Sequence, residues 1–285
     1  MKIKDAISVA NKTLIAAQIA NPNLDCELLL RFVLKVSRED LWLKLLDDDL
    51  SSKQYDDFLK LINLRATKVP VAHLINNREF YGLDFYVDNN VLDPRPDSET
   101  LVDMVISSNK SNINQQKSII DIGCGSGCLL IAILKNFLNW EGLALDISPL
   151  ALAVAQKNAL KHFVANRINF LQADLFNNLS PHKKFDILIS NPPYIPSKQI
   201  EKLQDEVRIY EPRIALDGGD DGLDFYRKIA AISPVFLQDC AEIFLEIGIN
   251  QHDNIIKIFS VNNFKYINNA KDINGIIRVL HFKKI

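Results

Sequence analysis

The sequence lacks a basic excess, metal-binding cysteine spacings and long apolar runs, three features that mark specialised classes of protein. Its 285 residues carry a formal net charge of −2, whereas a protein that lives on nucleic acid usually shows a strong basic excess or a basic stripe. The overall charge therefore argues against an extended nucleic-acid surface, although it leaves room for a local basic patch.

Cysteine is scarce and is not spaced for metal binding. The four cysteines are Cys26, Cys124, Cys128 and Cys240. They form no CxxC pair, and no histidine pair follows them at zinc-finger spacing. We therefore predict no structural metal, and four reduced thiols in a protein of the cytoplasm.

Long hydrophobic runs are also missing. No apolar run approaches the roughly 18 residues of a membrane span, and Asp5, Asn11 and Lys12 interrupt the apolar pattern where a signal peptide would need its core. We expect a cytoplasmic protein with no membrane partner. Hydrophobic residues make up 48% of the chain and charged residues 24%, which is typical of a soluble globular protein.

What is present divides the chain into three parts. Over residues 1–72, apolar residues recur at steps of three and four, which predicts a small helical domain. Residues 73–93 are rich in aromatics around Gly82 and Asp84, which predicts a β-hairpin linker. Residues 94–285 alternate apolar strands with helical patterns, which predicts an α/β domain with a parallel sheet and helices on both faces. Two late runs, 265–267 and 276–282, are candidates for antiparallel edge strands.

A glycine-rich run follows the first strand of this α/β domain and precedes a helix. Closely spaced glycines allow the backbone to approach a ligand, and the amides at a helix start then point at that ligand. The pattern is G-x-G-x-G, one residue shorter than the dinucleotide fingerprint, so a nucleoside without phosphates fits better than a pyrophosphate. The alternative is that these glycines form a tight turn between strand and helix and bind no ligand. The candidate cofactor-binding residues are Gly123, Cys124, Gly125, Ser126 and Gly127.

Acidic residues end the next two strands. Asp146 lies where a carboxylate can accept both hydroxyls of a ribose, and the alternative is an N-terminal helix cap, a role that Ser148 can also fill. Asp174, followed by Leu175, can accept an adenine amino group or simply cap a turn. The sequence does not choose between these two roles of Asp174.

The most specific motif is Asn191-Pro192-Pro193-Tyr194, directly after an apolar strand. The prolines impose a rigid bend at the carboxyl end of that strand, where ligands bind in open α/β sheets. A planar amide or amine nitrogen has two N–H donors, which the Asn191 side-chain oxygen and the Pro192 carbonyl can accept. Tyr194 can stack on the flat substrate group. We predict nitrogen methylation with these residues as the catalytic and substrate-binding set.

The glycine loop and its acidic partners resemble class I S-adenosylmethionine-dependent methyltransferases, which have a Rossmann-like sheet. Four further blocks narrow this resemblance to the PrmC/HemK family of release factor glutamine methyltransferases. They are PVAHL at 70–74, REFYG at 78–82, PRPDSE at 94–99 and VRIYEP at 207–212.

The resemblance implies methylation of the glutamine side-chain nitrogen (N5) in the Gly-Gly-Gln motif of class I peptide chain release factors. It implies that S-adenosyl-L-methionine meets residues 123–127, Asp146 and Asn191, and that the helical domain recognises the protein substrate. It also implies that Arg95 and Glu99 help to shape the cofactor pocket. Two positions depart from the family pattern: Asp93 replaces an apolar residue, and Leu175 replaces an aromatic one.

Other functions remain open at this stage. An enzyme that methylates adenine in DNA, an RNA or a ribosomal-protein glutamine is the nearest alternative, and a non-catalytic binding module is another. Seven carboxylates and only two arginines in 204–224 argue against a nucleic-acid substrate if that segment borders the entrance. Gly218, Gly219 and Gly222 predict that the segment is mobile. We interpret Glu246 and Gly248 as turn residues.

Overall fold

The computed structural model describes residues 1–112 and 114–285, with only the backbone described at Lys44 and Asn112. The chain forms two compact units. The first contains Met1–Asn77 together with Gln204–Tyr210, and the second contains Arg78–Leu203 and Glu211–Ile285.

The helices and strands follow in chain order. The helices are α1 (Ile3–Ala16), α2 (Pro22–Leu34), α3 (Arg38–Asp40), α4 (Ser52–Ala66), α5 (Val71–Ile75), α6 (Glu99–Ser108), α7 (Cys128–Asn136), α8 (Pro149–Lys161), α9 (Ser197–Ile200), α10 (Asp205–Tyr210), α11 (Asp224–Ile232) and α12 (His252–Ser260). The strands are β1 (Arg78–Phe80), β2 (Leu83–Phe85), β3 (Ser118–Ile122), β4 (Glu141–Asp146), β5 (Ile168–Gln172), β6 (Phe185–Ser190), β7 (Leu237–Glu246), β8 (Phe264–Lys271) and β9 (Ile277–Lys284).

The amino-terminal part is helical, as its periodicity predicts. Helices α1, α2 and α4 each bury an apolar stripe, and their residues Leu14, Leu29 and Phe58 are fully buried in a shared core. Helix α4 begins at a capping box in which the Ser51 and Gln54 side chains each bond the other's backbone. A π-helical turn, Leu41–Leu45, follows the short α3.

Helix α10 belongs to this first unit although it is distant in sequence. The buried Arg65 guanidinium contacts Asp25 at 2.6 Å and Glu206 at 2.8 Å, and the Tyr210 hydroxyl donates to the Thr67 carbonyl at 2.9 Å. The periodicity of residues 1–72 does not predict that α10 packs with these helices, because the contacts join residues far apart in the sequence. The predicted domain bounds of 1–72, 73–93 and 94–285 stay a prediction.

The aromatic-rich segment forms the predicted β-hairpin, and this hairpin is part of the second unit. Tyr81 and Gly82 form its turn with φ angles of 54° and 70°, the positive values that a tight hairpin turn with the right twist requires. Phe80 and Phe85 are buried against the main core. The Glu99 carboxylate accepts the Tyr81 amide at 2.8 Å, which ties the turn to α6.

The second unit is built on a seven-stranded sheet in the order β5-β4-β3-β6-β7-β9-β8. The first five strands in that order are parallel, and β9 and β8 complete one side as antiparallel strands. Successive strand residues point to opposite faces, so Ile119 packs with α6 to α8 and Ile120 with α11 and α12. The predicted α/β class, parallel sheet and antiparallel edge are confirmed.

Two absences concern the described residues, 1–112 and 114–285. No helix there is both long and apolar enough to cross a membrane. No cluster of His, Cys, Asp and Glu in the same ranges has a metal-binding arrangement.

Candidate active site

The sheet topology brings the predicted site residues to one edge. The chain winds from β3 outward through β4 to β5, then returns to place β6 on the other side of β3. A ligand-binding crevice forms outside the carboxyl ends of the strands at such a reversal point. The glycine loop follows β3, Asp146 ends β4, Asp174 follows β5 and Asn191 follows β6.

One cavity lies at this edge and contains about 1130 Å³ of empty space, part of it open to solvent. Ten of the predicted site residues line it: Gly123, Cys124, Gly125, Ser126, Asp146, Asp174, Leu175, Asn191, Pro192 and Pro193. Gly127 and Tyr194 do not belong to this lining.

Gly123 and Gly125 expose the backbone of the loop to the cavity. Their φ angles are +71° and +52°, and a Cβ at either position would meet nothing within 4 Å. The amides of Gly123 and Cys124 donate to the Leu145 carbonyl at 2.9 Å, which ties the loop to the end of β4. The glycines therefore leave open space on the cavity side, as a close-fitting ligand requires.

Gly127 is glycine for a different reason. A Cβ there would lie 3.2 Å from both Ala155 and Ile131, and φ is +77°. The position thus allows α7 to pack against α8, with no place in the cavity lining. Its predicted contact with the cofactor stays a prediction.

Asp146 supports the glycine loop and is not the cap of α8. Its Oδ2 accepts the Gly125 amide at 2.9 Å and its Oδ1 accepts the Ser148 amide at 2.9 Å. The Ser148 side chain is the cap, accepting the Ala151 amide at 3.2 Å. Burial raises the pKa of Asp146, and the hydrogen bonds from Ser148 and Gly125 oppose this rise. Each carboxylate oxygen retains accepting capacity for a ligand hydroxyl.

A second carboxyl lies behind the loop. Asp121 is fully buried, and neither of its carboxyl oxygens has a hydrogen-bond partner in the described structure. Burial, and then the nearby Asp146 carboxylate, raise the pKa of Asp121 to about 8. Asp121 is therefore largely protonated at pH 7, so the negative charge beside the loop is that of Asp146.

The two positions after β5 differ in their surroundings. Asp174 is exposed at the cavity, whereas Leu175 is half-buried against the core below it. Leu175 also has φ of +52°, an uncommon conformation for a residue with a Cβ. Asp93, the other departure from the family pattern, is buried and lines the same cavity.

The Asn191 side chain is oriented by a residue from another element. Its Nδ2 donates to the Ser98 hydroxyl at 3.2 Å, and Ser98 is buried at the junction of a 3-10 turn and α6. Because the Nδ2 end is engaged with protein, Oδ1 is the end that can accept a hydrogen bond from a ligand. Ser98 is a residue of this site that sequence reasoning did not assign to it.

The backbone after Asn191 is packed tightly by the glycine-rich segment. A Cβ on Gly218 would lie 2.8 Å from the Pro193 carbonyl oxygen, and one on Gly222 would lie 2.3 Å from that of Tyr194. Gln251 completes the contact, with its Nε2 donating to the Tyr194 carbonyl at 2.9 Å. Gly218 and Gly222 are therefore small to permit close backbone packing, and the predicted mobility of this segment stays a prediction.

The Arg95 side chain lines the cavity and is held from behind. Its guanidinium donates to both carboxylate oxygens of the buried Glu211 at 2.6 Å. Both contacts come from Nη2, so the carboxylate accepts from a single nitrogen, and this charge-assisted pair holds the guanidinium in place. The sequence places Glu211 in the VRIYEP block and among the acidic residues of 204–224, but it does not reveal the pairing with Arg95, because that partner lies 116 positions away.

Glu246 is a further functional candidate that sequence reasoning missed. It was interpreted as a turn residue, but it ends β7 and is 1% exposed. Tyr194, whose side chain packs toward the core, has its hydroxyl 3.5 Å from Glu246 Oε1. Its place in the sequence could have indicated this role. The five parallel strands all end at the edge that holds the cavity, and Glu246 is the last residue of one of them, β7.

Known proteins are similar to this chain in sequence. Residues 97–210 match the family described as methyltransferase small domain, and residues 5–75 match the PrmC N-terminal domain. A release factor glutamine methyltransferase from Geobacter sulfurreducens is 37% identical, over 92% of this chain and 89% of that protein. One from Clostridium acetobutylicum is 38% identical, over 98% of each.

A solved structure shows the same fold at low sequence identity. A Thermus thermophilus 16S rRNA methyltransferase in complex with AdoMet and guanosine has a TM-score of 0.51 and 15% identity, covering 73% of this chain and 50% of that one. This likeness supports the fold alone. The sequence relatives extend over nearly the whole chain at well above 30% identity, and the chain therefore belongs to the family of release factor glutamine methyltransferases.

Proposed function

We propose that this protein uses S-adenosyl-L-methionine to methylate the side-chain nitrogen (N5) of the glutamine in the Gly-Gly-Gln motif of class I peptide chain release factors. The observation that carries this proposal is the orientation of Asn191. Its Nδ2 is bonded to Ser98 at 3.2 Å, so its oxygen is available at a cavity that the glycine loop also borders.

The cofactor half of the cavity suits S-adenosylmethionine in shape and charge. Gly123 and Gly125 leave open space on the cavity side, and Asp146 retains acceptor sites for ribose hydroxyls. The Asp146 carboxylate favours the positive charge of a sulfonium and an ammonium group. When bound, S-adenosylmethionine supplies the methyl group. We assign its adenosine to Asp146, Asp174 and Leu175.

The substrate half of the cavity suits a planar amide. An amide nitrogen is a poor nucleophile because its lone pair is delocalised, and it presents two N–H donors in one plane. Asn191 Oδ1 and the Pro192 carbonyl are the two acceptors that we assign to them. Held this way, the nitrogen is positioned for attack and its developing positive charge is stabilised. Stacking of Tyr194 on the substrate is part of the same proposal.

The acidic segment gives less support for a protein substrate than its composition suggests. Six of its seven carboxylates contact an arginine within 4 Å. These pairs neutralise much of the negative field that was expected to repel nucleic acid. The preference for release factors therefore rests on the family, and exclusion of nucleic-acid substrates is a matter for experiment.

We assign substrate recognition to the helical domain, residues 1–72. With 11 basic and 10 acidic residues it is nearly neutral, which suits a protein surface better than a phosphate backbone. Exposed apolar side chains such as Trp42 and Leu43 are available on it for contact.

Methyl transfer to defined acceptors tests the substrate assignment. Purified protein is incubated with S-adenosylmethionine carrying a labelled methyl group and with a release factor, duplex DNA or tRNA in parallel. Peptide mass spectrometry is expected to show one labelled methyl group on the glutamine of the Gly-Gly-Gln loop, and label counting is expected to show none on nucleic acid.

Two controls separate the alternatives. A release factor with alanine in place of that glutamine is expected to accept no methyl group. Label on nucleic acid with none on the release factor would overturn the substrate but keep the methyltransferase. Binding of S-adenosylmethionine without transfer to any acceptor would favour a non-catalytic binding module.

A further inference from the structure

Glu246 is a buried carboxyl group that the proposed reaction does not yet use. It lies at the end of β7 with 1% of its surface exposed, and its Oε2 has no hydrogen-bond partner in the described structure. A buried polar atom left without a partner costs free energy comparable to a lost hydrogen bond. A carboxyl at this position therefore lowers stability, which suggests that it serves a function.

The surroundings of Glu246 connect it to both ends of the catalytic loop. The Tyr194 hydroxyl lies 3.5 Å from Oε1. The Ser98 and Asn191 side chains, which are joined to each other at 3.2 Å, both act to lower the pKa of Glu246 and so favour its ionised form. Glu246 is itself held in place, because the buried Tyr226 hydroxyl donates to its backbone carbonyl at 2.8 Å.

The side-chain amide of Asn191 has two nearly isosteric ends with opposite hydrogen-bonding character. Nδ2 donates and Oδ1 accepts, so a rotation of 180° would present donors to the substrate nitrogen where acceptors are needed. The Ser98 hydroxyl alone cannot prevent this rotation, since a hydroxyl both donates and accepts. An ionised carboxylate only accepts, and it therefore selects the orientation with Nδ2 toward the protein.

We propose that Glu246 is a positioning residue that, together with Ser98, holds the Asn191 side chain with Nδ2 toward the protein and Oδ1 toward the substrate nitrogen. The inference rests on the proposed function, because it gives a reason for the acceptor geometry at Asn191. Glu246 acts through Asn191 and Tyr194.

The protonation of Glu246 gives this role a pH dependence. Burial raises the pKa of Glu246 to about 7, opposed by Ser98, Arg278 and Asn191 and assisted by Asp97. The other titratable groups that interact with it are Tyr194, Tyr226 and Cys128. Burial raises the pKa of each of these three groups, so none of them gains a charge near pH 7. A protonated Glu246 can donate to Oδ1, so the orientation of Asn191 is expected to be lost as pH falls below 7.

Glu246→Gln is the variant that tests the inference, because it keeps the size but adds a donor. We expect kcat for glutamine methylation to fall at least about tenfold at pH 8, with the Kd for S-adenosylmethionine changed less than about threefold. The wild-type kcat is expected to rise with pH through about 7, and the variant is expected to lack this rise. Glu242→Gln is the matched control, since it makes the same change on the same strand at a carboxylate that bonds His281 at 3.0 Å and does not line the cavity.

Stability distinguishes positioning from a merely structural role. A folded-state pKa raised above the unfolded value means that stability is present below the unfolded pKa and is lost as pH rises through about 7. Glu246→Gln removes that loss, so it is expected to unfold at no lower temperature than wild type at pH 8. A variant with wild-type kcat at pH 8, or one whose activity falls only in proportion to its folded fraction, would overturn the inference.

A readout that needs no substrate keeps the two proposals separate. The side-chain amide signal of Asn191 in a ¹⁵N–¹H spectrum is expected to titrate near pH 7 in the wild type and not in Glu246→Gln. Failure to methylate release factors with this titration intact would overturn the proposed function alone. An Asn191 signal that is independent of pH and identical in both proteins would overturn the positioning role alone.

Discussion

The two loops that border the cavity are supported in opposite ways. The glycine loop at 123–127 is small on the side that faces the cavity, where a Cβ on Gly123 or Gly125 would meet nothing within 4 Å. The loop at 191–194 is packed from behind, where a Cβ on Gly222 would lie 2.3 Å from the Tyr194 carbonyl. Glycine at the first loop leaves room for a ligand, and glycine beside the second permits close packing of protein.

This contrast fits the two tasks that we assign to the loops. A cofactor loop needs space and backbone amides, and its geometry can adjust as the ligand binds. A loop that orients a nitrogen for attack must hold two acceptors in place, since misplacement by about 1 Å can cost about a hundredfold in rate. Substitutions at the two loops should therefore affect binding and turnover separately.

The largest effect is expected from Gly125→Val. The side chain would enter the cavity at a backbone φ of +52°, so the Kd for S-adenosylmethionine is expected to rise at least about a hundredfold, or about 2.7 kcal/mol. Calorimetry measures this change. Gly275→Val is the matched control, because Gly275 has φ of +80° and open space but lies in the β8–β9 turn. Equal affinity in the wild type and Gly125→Val would remove the cofactor assignment.

Asn191→Ala is expected to act on turnover. It deletes one of the two proposed acceptors, and loss of one preorganised transition-state contact costs about 10²–10³ in kcat. The Kd for S-adenosylmethionine should change much less, because the glycine loop and Asp146 remain. Single-turnover kinetics with a release factor measures the effect, and the exposed Asn269→Ala is the control. Turnover within a fewfold of wild type would contradict the mechanism.

Gly222→Ala tests whether packing behind the second loop matters. The added methyl would collide with the Tyr194 carbonyl, and displacement of the loop is expected to lower kcat by about tenfold to a hundredfold. Gly82→Ala controls for backbone strain, since its φ of +70° is similar but no atom lies within 4 Å of the added Cβ. Similar activities of the two variants would show that strain alone, and not contact with the loop, determines the outcome.

The smallest effect is expected from Gln251→Ala. The substitution removes the hydrogen bonds to the Tyr194 carbonyl and from the Gly248 amide, both 2.9 Å. Each is worth about 1 kcal/mol, so the free energy of unfolding is expected to fall by about 2 kcal/mol, with kcat lowered only a fewfold. Denaturant unfolding and steady-state kinetics measure the two quantities. A large fall in kcat without a loss of stability would assign Gln251 a direct role in the reaction.

Much of the fold is local in origin and could be predicted. Helical periodicity, the turn residues Tyr81 and Gly82, and the alternation of apolar strands with helices each depend on neighbours within a few positions. The residues after β3, β4, β5 and β6 could be placed at one cavity for the same reason, because parallel strands present their carboxyl ends at one edge.

Patterns in the sequence were enough to predict the fold class, the family and ten of the residues that line the cavity. The folded structure was needed to show that Glu246 is buried beside Tyr194, that Ser98 bonds Asn191, and that Gly218 and Gly222 pack against the loop. Tyr194 and Glu246 are 52 positions apart, and Ser98 and Asn191 are 93 positions apart. Whether such distant residues meet depends on the order and register of the strands, which local sequence patterns do not specify. The side chain determines which chemistry a residue can perform, but the surrounding residues determine its pKa and its hydrogen-bond partner.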